Sequence, residues 1–125
     1  MAFLAMATAS HAQAPAPQTR WVNDHGSELF IESVGPDGRL AGTYSSSAPN
    51  FQCRNIAFPL TGWLDGERVA YTVQWKNDKV NCNQITSWTG FAHGGRIFVE
   101  WSLVYFDTIE GRQSLSRGFD QYRPK

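Results

Sequence analysis

Excess charge of either sign is missing from this 125-residue chain: charged residues make up 18% and the formal net charge is zero. Nothing electrostatic therefore favours nucleic acid or a membrane surface as a partner. Long apolar segments are missing too, and the one apolar stretch, at the start of the chain, is too short to span a bilayer. Past residue 19 no apolar pattern recurs at helical spacing, which argues against a helical bundle. Cysteine is limited to Cys53 and Cys82, whose spacing is not that of a zinc site, so no metal is expected. Of the three histidines, His11 lies in the leading stretch while His25 and His93 fall in turns. Without a nucleophile–base pair or a metal cluster, no catalytic residue is assigned and no enzyme is expected. The length suits one domain with a real core and is too short for two. What the chain does have is aromatic rings, at 14% with five tryptophans, more than core filling alone asks for.

The first residues, MAFLAMATASHAQAPAPQ, differ from everything after them. Ala12-Gln13-Ala14 is an A-x-A cleavage signal behind an apolar Ala/Leu/Met stretch, so residues 1–14 read as the rear of a signal peptide and 15–19 as a flexible leader. A secreted or periplasmic location follows as an expectation. In an exported chain Cys53 and Cys82 are expected to join, the alternative being two buried thiols. On the chain-entropy model that closure contributes roughly 3 kcal/mol.

From residue 20 onward, short alternating runs are separated by turn signals, the mark of an all-β domain. Strands are predicted over 20–24, 27–34, 39–46, 56–64, 67–75, 84–92, 96–106 and 113–122. Gly35-Pro36-Asp37-Gly38, Asp65-Gly66 and His93-Gly94-Gly95 supply hairpin chemistry. Eight strands joined in order by short turns make an antiparallel up-and-down β-barrel, here over 20–123, with no open edge and an interior wide enough for one small ligand.

The stretch WKNDKVNCNQITSW, Trp75 to Trp88, organises that reading. Its two tryptophans end candidate strands, and a polar loop carrying Cys82 joins them. Side chains alternate faces along a strand, so Gln84 and Thr86 share the face of Trp88 and stand with Trp75 in a flat aromatic wall. The same parity, with the apolar face inward, turns Asn23 in with Trp21, Ser27 with Leu29, and Tyr44 and Ser46 with Leu40. Thr86 turns in with Trp88, Trp101 with Val99, and Asp120 with Tyr122. Any one inward polar group is most simply a satisfied internal hydrogen-bonding group. Six near one mouth form a polar floor under an aromatic box, suited to a small, flat, polar ligand.

At these residues the chain resembles the avidin/streptavidin family of biotin-binding barrels. The matching pieces are WVNDHGS (21–27), AGTYSS (41–46), PLTGW (59–63), YTVQWKND (71–78), TSWTGFA (86–92), VEWSL (99–103) and GFDQY (118–122), in family order. The resemblance implies high-affinity, non-catalytic binding of biotin, with no cofactor. It implies that Asn23, Ser27 and Tyr44 donate to the ureido oxygen, in the manner of an oxyanion hole. Asp120 and Ser46 would accept the ureido N–H groups, and Thr86 would meet the thioether sulfur. Trp75, Trp88 and Trp101 would wall the ring system.

Three departures stand out. Where larger tetrameric members carry a tryptophan that lids a neighbour's pocket, this chain has Arg112. The two cysteines fall where the short dimeric avidins resembling rhizavidin have theirs, implying a homodimer and a Cys53–Cys82 clamp on the pocket mouth that lowers the ordering cost of binding. Gln84 stands at the position, near the biotin carboxylate, that is usually serine. Trp63 takes the outward parity of its strand and is a candidate interface residue. Two competing readings are a barrel carrier for an apolar ligand and an interaction module with the rings as core; both leave the inward polar set unexplained.

Overall fold

A computed structural model describes residues 13–125. The expected signal-peptide remnant, 1–14, lies outside them except for Gln13 and Ala14. Eight strands form one closed antiparallel barrel, each paired with the next in sequence and the last with the first. They are β1 (Thr19–Asn23), β2 (Glu28–Val34), β3 (Arg39–Ser45), β4 (Ala57–Asp65), β5 (Arg68–Lys76), β6 (Asn81–His93), β7 (Arg96–Asp107) and β8 (Arg112–Pro124). Closure comes from β8 lying against β1, with Asn23 opposite Tyr122 and Trp21 opposite Pro124. Every strand then has two neighbours and no open edge remains.

Turn chemistry sets the register. His93 pairs with Arg96 across Gly94 and Gly95, whose φ angles of 59° and 77° lie in the left-handed region that a two-residue hairpin demands. The expected alternation holds along β5, where Val69, Tyr71, Val73 and Trp75 are buried while Arg68, Thr72 and Gln74 are exposed. The core is the barrel interior, filled at one end by Trp21, Leu29, Ile31, Tyr71 and Ile97. Trp63 faces outward, half exposed, with the Arg39 guanidinium 5.5 Å from its ring centre.

Three boundaries differ from expectation in ways that bear on the site. The sixth strand starts at Asn81 rather than 84, because Lys76 pairs with Asn81 beyond a register shift after Gln74. The connecting turn is therefore only residues 77–80, held by Asn77 Oδ1 accepting from the Lys79 and Val80 N–H groups, and Cys82 lies in β6 rather than in a loop. Ser27 sits just ahead of β2, not within it, and Ser46 just past β3. At the other end, Pro15 in the expected leader is buried, and the Gln18 N–H donates to the Ile31 carbonyl at 2.8 Å.

Candidate functional site

A cavity of about 620 Å³ opens at the end of the barrel away from the Gly94-Gly95 turn. Its floor and walls include each of the ten ligand-contact residues expected from the sequence: Asn23, Ser27, Tyr44, Ser46, Trp75, Gln84, Thr86, Trp88, Trp101 and Asp120. Among the described residues neither lysine nor arginine lines it; apart from tyrosines, His25 and Asp120 are its titratable side chains. Such a site suits an uncharged polar ligand group better than an anion.

The hydrogen-bond donors of the floor are oriented by the chain itself. Asn23 Oδ1 accepts from the backbone N–H groups of His25 and Ser27, at 3.0 and 2.9 Å. That fixes the amide so that Nδ2 is the donor, 3.3 Å from Asp120 Oδ2. Ser27 Oγ accepts from the Ser47 N–H at 3.0 Å and lies 3.3 Å from Ser47 Oγ, so its own hydrogen goes to Ser47 until a better acceptor enters the cavity. Ser47 is in turn anchored by its hydroxyl on the His25 carbonyl. Tyr44 Oη lies 2.6 Å from Tyr122 Oη. On the wall, Thr86 Oγ1 accepts from the Trp75 indole N–H at 2.9 Å, so its hydrogen too is available to the cavity.

Acceptors sit opposite. Asp120 is half-buried, and desolvation raises its carboxyl pKa above the usual value against the lowering effect of the Asn23 hydrogen bond. Ser46 Oγ accepts from the Ala48 N–H at 3.2 Å and is itself nearly buried. Burial pushes the Tyr44 hydroxyl far above its ordinary value, so it remains a donor at any physiological pH.

The aromatic wall is a corner rather than the flat surface expected from sequence. The indoles of Trp75 and Trp88 meet at 68° with ring centres 6.3 Å apart. Barrel curvature separates the planes: Trp88 lies opposite Tyr71, whereas Trp75 lies two residues beyond the Val73–Thr86 pair, at the register shift. Tyr71 stacks on Trp88 at 4.9 Å, and Phe51 and Phe58 meet Trp75 edge-on at 5.0 and 5.3 Å. Trp101, opposite Trp88 in register, is only partly buried and closes the third side.

Cys53 and Cys82 form a disulfide. It ties the segment after β3 to the start of β6, and that segment contributes Ser46, Ala48, Pro49, Asn50 and Phe51 to the cavity rim. Sequence reasoning missed Phe51, Leu103, Tyr105 and Ser116 as lining residues. The last three share the inward parity of their strands, which was the available signal. It also missed Ser47, which orients Ser27, and Gly118, where a β-carbon would stand 2.4 Å from Trp101 Cζ2. Arg112, expected in place of a lid residue, begins β8 and does not line the cavity.

An eight-stranded closed barrel with a preoriented polar floor and a tryptophan corner at its mouth defines a small-molecule binding protein. Comparison with known proteins makes the class specific. The family model described as "Avidin family" matches residues 11–108. Afifavidin of Afifella pfennigii is 35% identical over 112 residues, which cover 86% of this chain and 69% of that protein. The chain also superposes on the short afifavidin–biotin complex with a TM-score of 0.81 at 33% identity, covering 90% of this chain and 91% of that one. For the rhizavidin–biotin complex the TM-score is 0.81 at 31% identity, covering 88% and 92%. The chain belongs to the avidin family.

Proposed function

We propose that this protein captures free biotin, tightly and without transforming it, in the open mouth of the barrel. The observation that carries the reading is the orientation of the floor. Asn23, Ser27 and Tyr44 each have an oxygen engaged by another protein group, and in this reading each turns a hydrogen to a common point of the cavity that all three line. A urea carbonyl, polarised by three donors, is the group such a floor favours over water. Asp120 and Ser46 flank that point and take the two urea N–H groups. Thr86, its oxygen held by Trp75, offers its hydrogen to the ring sulfur, and Trp75, Trp88 and Trp101 cover the ring faces. Gln84, at the rim, donates to the carboxylate end. The biotin complexes of short afifavidin and rhizavidin support the choice of ligand.

The active form in this reading is a homodimer of an exported, secreted or periplasmic, protein. The disulfide supports the location. The outer face of β6, β7 and β8 supports the assembly: Phe91 and Leu115 are 52% and 58% exposed, opposite Phe98 and Val104, and Phe119, 81% exposed, stands opposite Glu100 in the row next to Phe91 and Phe98. Apolar patches of that kind on a small domain mark interaction surfaces. Trp63 stands apart from it on β4, half exposed beside Arg39.

Titration with biotin followed by indole emission tests the ligand. Saturation at one biotin per chain supports the reading. Displacement of bound biotin by a simple fatty acid would instead favour an apolar-ligand carrier.

A further inference from the structure

Tyr122 is fully buried, does not line the cavity, and has no place in the proposed ligand contacts, yet its hydroxyl lies 2.6 Å from that of Tyr44. It is brought there by the same strand that presents Asp120 two residues earlier on the same face, at the point where β8 closes against Asn23 of β1. We propose that Tyr122 is a positioning residue for ligand capture: its O–H donates to Tyr44 Oη, which leaves the Tyr44 hydrogen for the ligand's carbonyl oxygen. The inference rests on the biotin reading above.

The direction of the bond follows from what each hydroxyl can reach. A phenol carries one hydrogen and can also accept. Among the described residues the short hydrogen bond of the Tyr122 hydroxyl is the one to Tyr44, with the Asp120 carboxylate as a weaker neighbour. If Tyr44 were the donor, the Tyr122 hydrogen would have to turn from the 2.6 Å contact to the Asp120 carboxylate, the acceptor that the ligand's N–H needs. With Tyr122 as donor, its hydrogen is satisfied and the Tyr44 hydrogen points into the cavity, where solvent or ligand accepts it. Tyr44 lines that cavity. Burial raises both phenols above their ordinary range, so neither loses its proton under physiological conditions. Accepting a short bond also polarises the Tyr44 O–H and strengthens it as a donor in a dry site. The geometry around the other floor donors follows the same rule: backbone N–H groups occupy Asn23 Oδ1 and Ser27 Oγ, and Tyr122 does so for Tyr44.

A double-mutant cycle on the full chain with biotin as probe tests this. Tyr122→Phe keeps the ring and is expected to weaken biotin binding roughly 5- to 20-fold, the range for losing one hydrogen bond with its cooperative share. In the Tyr44→Phe background the same change is expected to have no effect on affinity, an outcome that general loosening of the barrel does not produce. Unchanged or tighter binding by Tyr122→Phe overturns the proposal, since tighter binding means that Tyr44 donates to Tyr122 and must be pulled away by ligand. Equal losses in both backgrounds also overturn it. Hydroxyl-proton NMR of the unmutated protein reads the direction independently. The Tyr122 proton is expected to be protected with and without biotin, and the Tyr44 proton only with it; a Tyr44 proton already protected in the free protein contradicts the assignment. If the unmutated chain shows no heat and no spectral change with biotin, the ligand reading itself fails and this inference with it. That result is distinct from a wild type that binds and a Tyr122→Phe variant that binds equally well.

Discussion

At the scale of single residues, the proposed biotin site depends on which atom of each polar group faces the cavity. Asp120 shows the cost. Desolvation holds its carboxyl above the ordinary value, so ionising it in the ligand-free protein costs more than in water. Two pH effects of opposite sign follow. A urea N–H donates best to the ionised carboxylate, so biotin affinity falls as pH drops through the raised pKa. Over the same fall the ligand-free fold gains stability from this group, because the folded state binds the proton more tightly than the unfolded chain does. Asp120→Asn should remove both dependences, read by titration and by melting across that pH window. Thr86→Val is expected to destabilise the fold by about 1–3 kcal/mol, since the buried Trp75 indole N–H then has no acceptor. Thermal unfolding checks it, with Thr86→Ser as the variant that restores the melt. Tyr71 offers the reverse case. Its hydroxyl is buried with no hydrogen-bond partner among the described residues, while its ring stacks on Trp88. Tyr71→Phe is therefore expected to melt higher than the parent, because an unsatisfied polar group is removed and the stack is kept.

At the scale of elements, alternation along the strands was enough to read the inward set. Asn23, Tyr44, Thr86, Trp88 and Trp101 all fall where parity puts them, because a half-buried strand admits only one register. Parity carries no information about a residue's partners across the barrel. The Tyr44–Tyr122 and Trp75–Thr86 bonds join residues 78 and 11 positions apart in sequence, and only barrel closure and the register shift after Gln74 bring them together. The same shift turned the expected flat wall into a corner. Which residues face the cavity floor was legible through the motifs of the family, while Ser47 and Gly118 were not, since one acts through a neighbour and the other by the absence of a side chain. Gly118→Ala makes that visible: a β-carbon there collides with the Trp101 indole, so affinity should fall while the melting temperature moves less. The disulfide acts at this scale as well. It holds the β3–β4 segment that supplies Phe51 to the edge of Trp75. Reduction should weaken binding mainly through faster dissociation, measured by stopped-flow release of biotin with and without reductant.

At the scale of the whole molecule, a closed barrel leaves no edge to pair, so association has to use a face. The β6–β8 face supplies one, with exposed phenylalanines on neighbouring rows and the Glu100 and Arg117 positions between the apolar ends. Phe119→Asp is expected to give a monomer by sedimentation with the melt of each barrel little changed in form; an unaltered dimer would remove this face from the proposal. Barrel closure by β8 against β1 also binds the fate of the site to the fold, because Asp120 and Tyr122 sit on the closing strand. The proposed function depends above all on whether the polar floor holds a urea. Calorimetric titration of the intact protein with biotin, beside Asp120→Ala and Tyr44→Phe, is the most direct measurement of that. The account predicts one biotin per chain and a loss of roughly 10- to 100-fold in each variant, the range for a hydrogen bond to a charged or well-oriented group. Binding of biotin that is indifferent to both substitutions, in variants that remain folded, would contradict it.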